Sequence, residues 1–347
     1  AVNLICGENG QGKTNLLEAA AACSTMRLFR TAQKKEGLRF GENHAFIFAD
    51  FLAQERDISL ELRFSRTKAM EIYKNGVRQK RQSDAQGLLK TVLFCPEDLM
   101  LVRAGAAARR RFLDTALCQM RPNYARYLEE YNRLHEHKTR ILRDSEEKPS
   151  LLSMWEDFSL RMAHIGAQII RYRAYYCRKL LKAAAAVYAD IAPHEVLSGV
   201  YKTVSSVTDP FADARTIEKQ LIDHVFSHKT AEIAAKSCLS GPHKDDLELL
   251  LDGRSAASFG SQGQVRTCTL SLKLAERELF FDEDGEYPVL LLDDVLSELD
   301  RRRQDFVLNR ISAGQVMITC CEDGISEKLR AGAVFHIQNG EKSTETH

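Results

Sequence analysis

Three short stretches hold the residue types from which phosphate chemistry is built. "GENGQGKT", Gly7 to Thr14, meets the pattern G-x-x-x-x-G-K-[ST], whose glycines let backbone N–H groups wrap a phosphate chain. In such a loop Lys13 reaches the β- and γ-phosphates and the Thr14 hydroxyl ligates Mg²⁺. The candidate ATP-phosphate residues are therefore Gly7, Asn9, Gly10, Gln11, Gly12, Lys13, Thr14 and Asn15. Far along the chain, Asp293 and Asp294 close the apolar run "VLLL". Asp293 is the candidate Mg²⁺-side carboxylate with Thr14, and Asp294 stands where a base could orient the attacking water. The third stretch, "FGSQGQ" (259–264), opens a helical pattern with small and amide residues. A helix start of that kind offers free N–H groups to an anion, yet it contains no lysine to hold a phosphate.

These residues can meet only if particular elements bring them together. "AVNLIC" reads as an apolar strand before the loop and "NLLEAAAACSTM" as a helix after it, with the positive helix end aimed at the phosphates. Val289 to Leu292 are apolar without alternation, which requires both faces of that strand to be covered, as in a parallel sheet. A carboxylate at the strand's C-terminal end lies where such sheets bind ligands. "QVMIT" (315–319) is another apolar strand, and the gap before it has helical spacing at Leu299, Phe306 and Ile311, with Gly314 as a stop. This is a βαβ unit, so the two strands should be parallel neighbours. The fold class is α/β, and the two halves of one ATP site come from the two ends of the chain.

Residues 101–236 read as strongly helical, with apolar positions such as Leu160, Ala163, Ile165, Ile169, Tyr172 and Tyr176. The polar break "SEEKPS" (145–150) predicts an antiparallel helix pair. No heptad pattern lasts long enough for a long coiled coil. The expected organisation is a discontinuous head, 1–100 plus 237–347, carrying a short helical arm at 101–236 (lobe II). The arm has 22 Lys or Arg against 16 Asp or Glu, a surplus equally consistent with a solvated helix face.

Composition sets wider limits. With 347 residues, 44% hydrophobic, the chain can bury one large core or two. Its 49 basic and 48 acidic residues nearly cancel, so total charge points to no partner. Nine cysteines without a CxxC pair read as reduced thiols, hence a cytoplasmic location, and Cys320–Cys321 are neighbours that rarely bridge. No apolar run reaches the roughly 18 residues of a membrane span, so no membrane partner is expected. The chain begins without Met, inside an apolar strand, and a segment is expected upstream.

The phosphate loop and acidic strand bracketing a helical insertion, with a Gly/Ser/Gln-rich helix start just before the acidic strand, resemble the ABC/SMC class of P-loop ATPase heads. In that class the glycine-rich signature sits on the γ-phosphate held by a second protomer, which accounts for the missing lysine. The resemblance implies that Ser261, Gln262, Gly263 and Gln264 act in trans, with Ser261 and the N–H groups of Gly263 and Gln264 capping ATP. It also implies that Ser297 and Asp300, in "SELD", lie in the loop crossing the dimer interface. Within the class, "GENGQGKTNLLEA", "CPEDLMLVRAG…RRRFLD", "SGPHKDDLELLLDG", "FGSQGQVRTCTLSLKLAE" and "VLLLDDVLSELD" look most like the RecF family, over nearly the whole chain. The family implies an ATP-dependent, head-to-tail homodimer that binds duplex DNA near single-strand gaps and releases it on slow hydrolysis. It further implies work with RecR and RecO in RecA loading and replication restart. Two departures stand out: Asp294 replaces the usual catalytic glutamate, and Cys320 stands where many heads have a switch histidine.

Smaller features are weaker. Arg27 and Arg30, in "TMRLFRTAQKK", resemble residues that couple DNA to ATP in related heads, or else line a solvated loop. His243 reads as a hydrogen-bonded loop histidine or else a DNA or interface contact, Cys95 to Asp98 as the exit from head to arm, and Arg109 to Arg111 as arm surface rather than a dedicated site. A transporter-type ATPase subunit would carry a fuller signature and a switch histidine. A phosphate-loop kinase would lack the signature helix, and an ATP-gated scaffold would lack DNA affinity.

Overall fold

The computed structural model describes residues 2–30, 37–311, 313–320 and 332–342. Strand β1 (Val2–Cys6) leads through the glycine loop into helix α1 (Lys13–Thr25). Strands β2 (His44–Ala53), β3 (Arg56–Ser65), β4 (Glu71–Lys74) and β5 (Val77–Arg78) follow, then β6 (Thr91–Phe94). The insertion contains α2 (Ala106–Met120), α3 (Pro122–Asp144), α4 (Trp155–Ile191), β7 (Leu197–Lys202), α5 (Ala214–Ser227) and α6 (Lys229–Ala235). The chain returns through β8 (Asp246–Leu251), β9 (Arg254–Ser255), α7 (Ala256–Phe259), α8 (Gln262–Asp284) and β10 (Val289–Leu292). It continues with α9 (Arg301–Arg310), β11 (Val316–Cys320), β12 (Gly332–Gln338) and β13 (Glu341–Lys342).

The main sheet has the order β13-β12-β1-β11-β10-β6, parallel except for β13. Val2 to Cys6 lie opposite Val316 to Cys320, and Leu290 to Leu292 opposite Val316 to Ile318. The expected parallel neighbours β10 and β11 are thus adjacent, and β11 is the strand that joins β10 to β1. Alternate residues of the apolar strands pack in opposite directions. Ile5 and Leu291 meet Leu17 and Ala21 of α1, while Leu4, Cys6, Phe94, Leu290 and Leu292 belong to the large core that includes α8. Helix α8 is buried almost all round, from Thr267 to Arg277, because α4 lies along it as well. A helix covered on every side must bury its polar residues too. Glu276 is one: Oε2 has no hydrogen-bond partner, and burial pushes its carboxyl up to about 7.

An antiparallel sheet, β2-β3-β4-β5, covers the far end of α1, with Leu60, Leu62, Phe64 and Ile72 against Ala22, Cys23 and Met26. The insertion folds back as its polar break predicts. Glu130 pairs with Arg161, His137 stacks on Phe158 and Tyr124 meets Tyr172, so α3 and α4 run antiparallel. One part of this segment is not helical: β7 pairs with β8, from Leu197 opposite Leu251 to Lys202 opposite Asp246. A single core runs from Tyr124 and Ile169 of the insertion to Leu290 and Ile318 of the main sheet.

Polar side chains tie the insertion down. Arg173, 3% exposed, donates to Asp114, to the Pro242 carbonyl (2.7 Å) and to Asp245 (3.0 Å). Arg109 makes a bidentate pair with Asp246, and Arg110 donates to the Asp245 carbonyl at 2.6 Å. The expectation that Arg109 and Arg110 are arm surface is therefore corrected: both reach a neighbouring strand, because α2 packs on β8. His243 is held by Tyr131 Oη (2.7 Å) and the Cys238 carbonyl (3.0 Å), and burial pushes its pKa down to about 3. It is a neutral loop histidine.

Candidate functional site

The glycine loop is shaped from both sides. A Cβ on Gly7 would lie 2.5 Å from the Ile337 carbonyl oxygen, so β12 requires glycine where the strand turns into the loop. Gly12, at φ +99°, is the left-handed cap from which α1 starts. The first-turn amides of α1 consequently face the loop, where a helix start favours negative charge. Lys13, 4% exposed, curls back so that Nζ donates to the Gly7 (2.6 Å) and Glu8 (3.0 Å) carbonyls. Glu8, Asn9 and Gly10 are exposed. Gln11 accepts hydrogen bonds from Gly340 N on its carbonyl (2.9 Å) and from Asn339 N on its side chain (2.5 Å), which seats the β12–β13 turn against the loop.

The acidic strand end closes onto this loop. Thr14 Oγ1 donates to Asp293 Oδ1 at 2.9 Å across 279 residues of sequence. Asp293 is 5% exposed, and burial raises its pKa against the opposing effect of the Thr319 and Thr14 hydroxyls. A hard cation beside these oxygens would supply the missing positive charge, so Thr14 and Asp293 fit Mg²⁺. Asp294 sits at φ +48°, a conformation unusual for a residue with a side chain. It leads into a 3₁₀ turn, Val295–Glu298, in which Ser297 Oγ donates to its carbonyl at 2.6 Å.

Thr319 joins the two acids and is a residue that reading the motifs missed. Its hydroxyl donates to Asp293 Oδ1 (2.9 Å), accepts from Asp294 N (2.8 Å) and lies 3.4 Å from Asp294 Oδ1. The available signal was a threonine at the end of an apolar strand expected beside β10. Cys320 follows it, with Sγ in contact with Cys6 Sγ on the neighbouring strand. Arg30 also lies at this site: Nη1 donates to Asn15 Oδ1 (3.2 Å), its backbone N–H donates to Glu18 (3.0 Å), and its charge acts on Asp293. Arg27 differs, its guanidinium acting on Cys118 of α2. The rest of that basic stretch, 31–36, and Cys321 lie outside the described residues.

The signature residues form the start of α8. Ser261 is the N-cap: its Oγ accepts from Gln264 N (3.2 Å), and Gln264 Oε1 accepts from Ser261 N (2.7 Å). This reciprocal capping box is favoured by the Ser-x-x-Gln spacing. The Gln264 amide, expected to face a phosphate, is here bonded to Ser261, leaving Gln262 and Gly263 as the first-turn donors. Gln264 Nε2 donates to Glu195 at 2.9 Å. Ser261 and Gln262 are exposed, as are Ser297 and Asp300. Asp300 caps α9 by accepting from Arg303 N at 3.1 Å, and Arg303 Nη2 donates to the Gly263 carbonyl at 3.0 Å. The start of α8 and the "SELD" loop are thus joined.

No family model matches the chain. Curated relatives do. The DNA replication and repair protein RecF of Acetivibrio thermocellus is 32% identical over 337 residues, covering 97% of this chain and 91% of the relative. RecF of Lactobacillus johnsonii is 37% identical over 349 residues (99% and 93%), and RecF of Bacillus subtilis 37% over 345 residues (98% and 92%). A solved structure of the recombination mediator protein RecF with ATP in the RecFOR pathway superposes with a TM-score of 0.90 at 31% identity, covering 99% of this chain and 91% of that one. The Smc head domain of Pyrococcus furiosus, with 14% identity, a TM-score of 0.53 and coverage of 98% and 88%, shares the fold. The architecture is that of an ABC/SMC-type P-loop ATPase head, and no helix among the described residues is long and apolar enough to cross a membrane. Kinship over almost the full length agrees with the motifs from Gly7 to Asp300, and the chain belongs to the RecF family of DNA replication and repair proteins.

Proposed function

We propose that this chain is an ATP-dependent, DNA-binding mediator of repair and recombination that works as a head-to-tail homodimer in the cytoplasm. The observation that carries this reading is the Thr14–Asp293 contact, which joins phosphate loop and acidic strand into one site. On ATP binding, Lys13 exchanges the Gly7 and Glu8 carbonyls for the β- and γ-phosphates, and the α1 amides take the remaining charge. Thr14 and Asp293 are the residues that would hold Mg²⁺, which would neutralise developing charge on the phosphates. Asp294 orients the attacking water, and Thr319 holds the Asp293 carboxylate and the Asp294 backbone in place. The Ser261 side chain and the Gln262 and Gly263 N–H groups of a second copy cap the γ-phosphate, Gln264 holding that helix start through its capping box, while Ser297 and Asp300 cross the interface. Arg30, beside Asn15 and Asp293, is the better placed of the two candidate arginines to relay DNA contact to the nucleotide.

Closure brings two heads and two insertions around duplex DNA near a single-strand gap, and slow hydrolysis releases it. Solved RecF is described within the RecFOR pathway. By that kinship RecO and RecR are the proposed partners, with RecA loading and replication restart as the outcome. Residues 1–100 and 237–347 act as the ATPase head and 101–236 as the arm.

Two substitutions test the site. Lys13→Met should abolish binding of a fluorescent ATP analogue. Asp294→Asn should retain it and trap the closed dimer, seen by light scattering, with turnover lower by about 10²-fold or more. Normal ATP affinity in the first variant would refute the phosphate-loop assignment. Unchanged turnover in the second would give the water to another group.

A further inference from the structure

One side chain bridges the starts of α8 and α9. Arg303 donates from Nε and Nη2 to Thr267 Oγ1 (2.9 and 2.8 Å) and from Nη2 to the Gly263 carbonyl (3.0 Å). Its Nη1 pairs with Asp300, whose other oxygen caps α9. The Thr267 hydroxyl in turn donates to the Gly263 carbonyl at 2.8 Å, so backbone, hydroxyl and guanidinium form a closed set. The guanidinium lies directly over Gly263, where an added Cβ would sit 3.4 Å from Nη2. Thr267 is 1% exposed and the Arg303 side chain 22%. A second strut runs alongside, from Arg266 Nη1 to the Glu298 carbonyl at 2.7 Å.

We propose that Arg303 couples the two nucleotide sites of the closed dimer. The inference rests on the two-chain reading above, in which the α8 start meets the partner's nucleotide while Asp294 serves the chain's own. Within one chain, Asp294 is joined to Asp300 by the 3₁₀ turn Val295–Glu298 and Leu299. Arg303 fastens Asp300 to Gly263. A guanidinium presents its donors in a rigid planar fork, so movement of the first turn of α8 against a phosphate is carried to Asp300 and along the turn to Asp294. A lysine ammonium, a single point on a flexible stem, would keep the charge and lose the fork. Arg303 is thus a positioning residue: occupancy of one site sets the geometry of the water-orienting carboxylate in the other.

The test compares turnover per intact site in two dimers of the full chain. One has both sites loaded; the other forms with an excess of Lys13→Met and is loaded at one site. In the wild type the doubly loaded dimer should turn over faster per site by about 5- to 150-fold, the usual range of coupling between sites. With Arg303→Gln or Arg303→Lys in both chains the ratio should fall to about one, the value for uncoupled sites. Thr267→Val, nearly isosteric, should lower it in the same direction. ATP affinity of the isolated chains should stay unchanged, which separates coupling from damage to the nucleotide site itself. A ratio that survives all three substitutions, or a wild-type ratio of one, overturns the inference. If the wild-type chain shows no ATP-dependent pairing, the two-chain reading fails, a result distinct from a dimer whose coupling ignores Arg303.

Discussion

Glu276 illustrates what a single buried carboxyl does inside α8. It is 3% exposed, and burial, opposed by Lys273 and reinforced by Asp98, takes its pKa from 4.5 to about 7. A carboxyl whose folded-state pKa lies above its unfolded value keeps its proton longer in the folded chain. Its contribution to stability is full below pH 4.5 and lost as pH rises through about 7. Glu276→Gln removes that dependence, so between pH 5 and pH 8 the variant should gain about 3 kcal/mol relative to the wild type. Urea unfolding at the two pH values checks this, and parallel behaviour of both proteins would mean that Lys273 keeps Glu276 ionised throughout. Other residues of this scale were plain from sequence alone. Lys13, Thr14 and Asp293 announce themselves because their spacing from glycines or from an apolar run is itself the chemistry. Thr319 and Arg303 do not, because Thr319 meets Asp293 and Asp294, and Arg303 meets Gly263 and Thr267, only when separate elements pack together.

At the scale of elements, the start of α8 carries two duties. Ser261 caps its own helix, and the same turn is proposed to meet the partner's γ-phosphate. Ser261→Ala should therefore cost roughly 1 kcal/mol of stability through the lost cap. Ser261→Arg adds a bulky cation where two surfaces must meet, and it should abolish ATP-dependent dimerisation in sedimentation experiments. Nucleotide binding by the isolated chain is proposed to rest on Lys13, Thr14 and Asp293, which neither change touches, and should survive. Mixing Ser261→Arg with Lys13→Met should restore some pairing through one intact composite site. Collapse of monomer binding in Ser261→Arg would mean that the signature acts in cis. The helices α1, α3, α4 and α8 were legible in the sequence; the capping box at Ser261 was not read, although its Ser-x-x-Gln spacing carried it. Strand β7 was not: "LSGVYK" is short, follows a long helix and finds its partner β8 only after α5 and α6. In β2, Ala45, Ile47 and Phe51 on one side face Phe46, Phe48 and Leu52 on the other, which blurs the alternation of a half-buried strand.

For the molecule as a whole, DNA contact is predicted through phosphates, since no recognition helix, zinc finger or aromatic platform is apparent in the sequence. Fluorescence anisotropy with gapped and blunt duplex should show ATP-dependent binding that prefers the gap. Its logarithm should fall with log salt by about 0.9 per phosphate neutralised. Affinity that follows base sequence and hardly responds to salt would refute this. The order of the main sheet has a consequence for how the chain comes to life. Strand β1, which carries the phosphate loop, is flanked by β11 and β12, with Val2 opposite both Val316 and Gly332. The strand that carries the phosphate loop thus waits for β11 and β12, translated long after it, before either of its edges is hydrogen-bonded. Thr14 likewise waits for Asp293. Contacts of such sequence separation form late, after the entropy of a long loop has been overcome. A nascent chain that ends before Asp293 therefore lacks the assembled site, and fragments of that kind are expected to bind ATP more weakly than the finished protein.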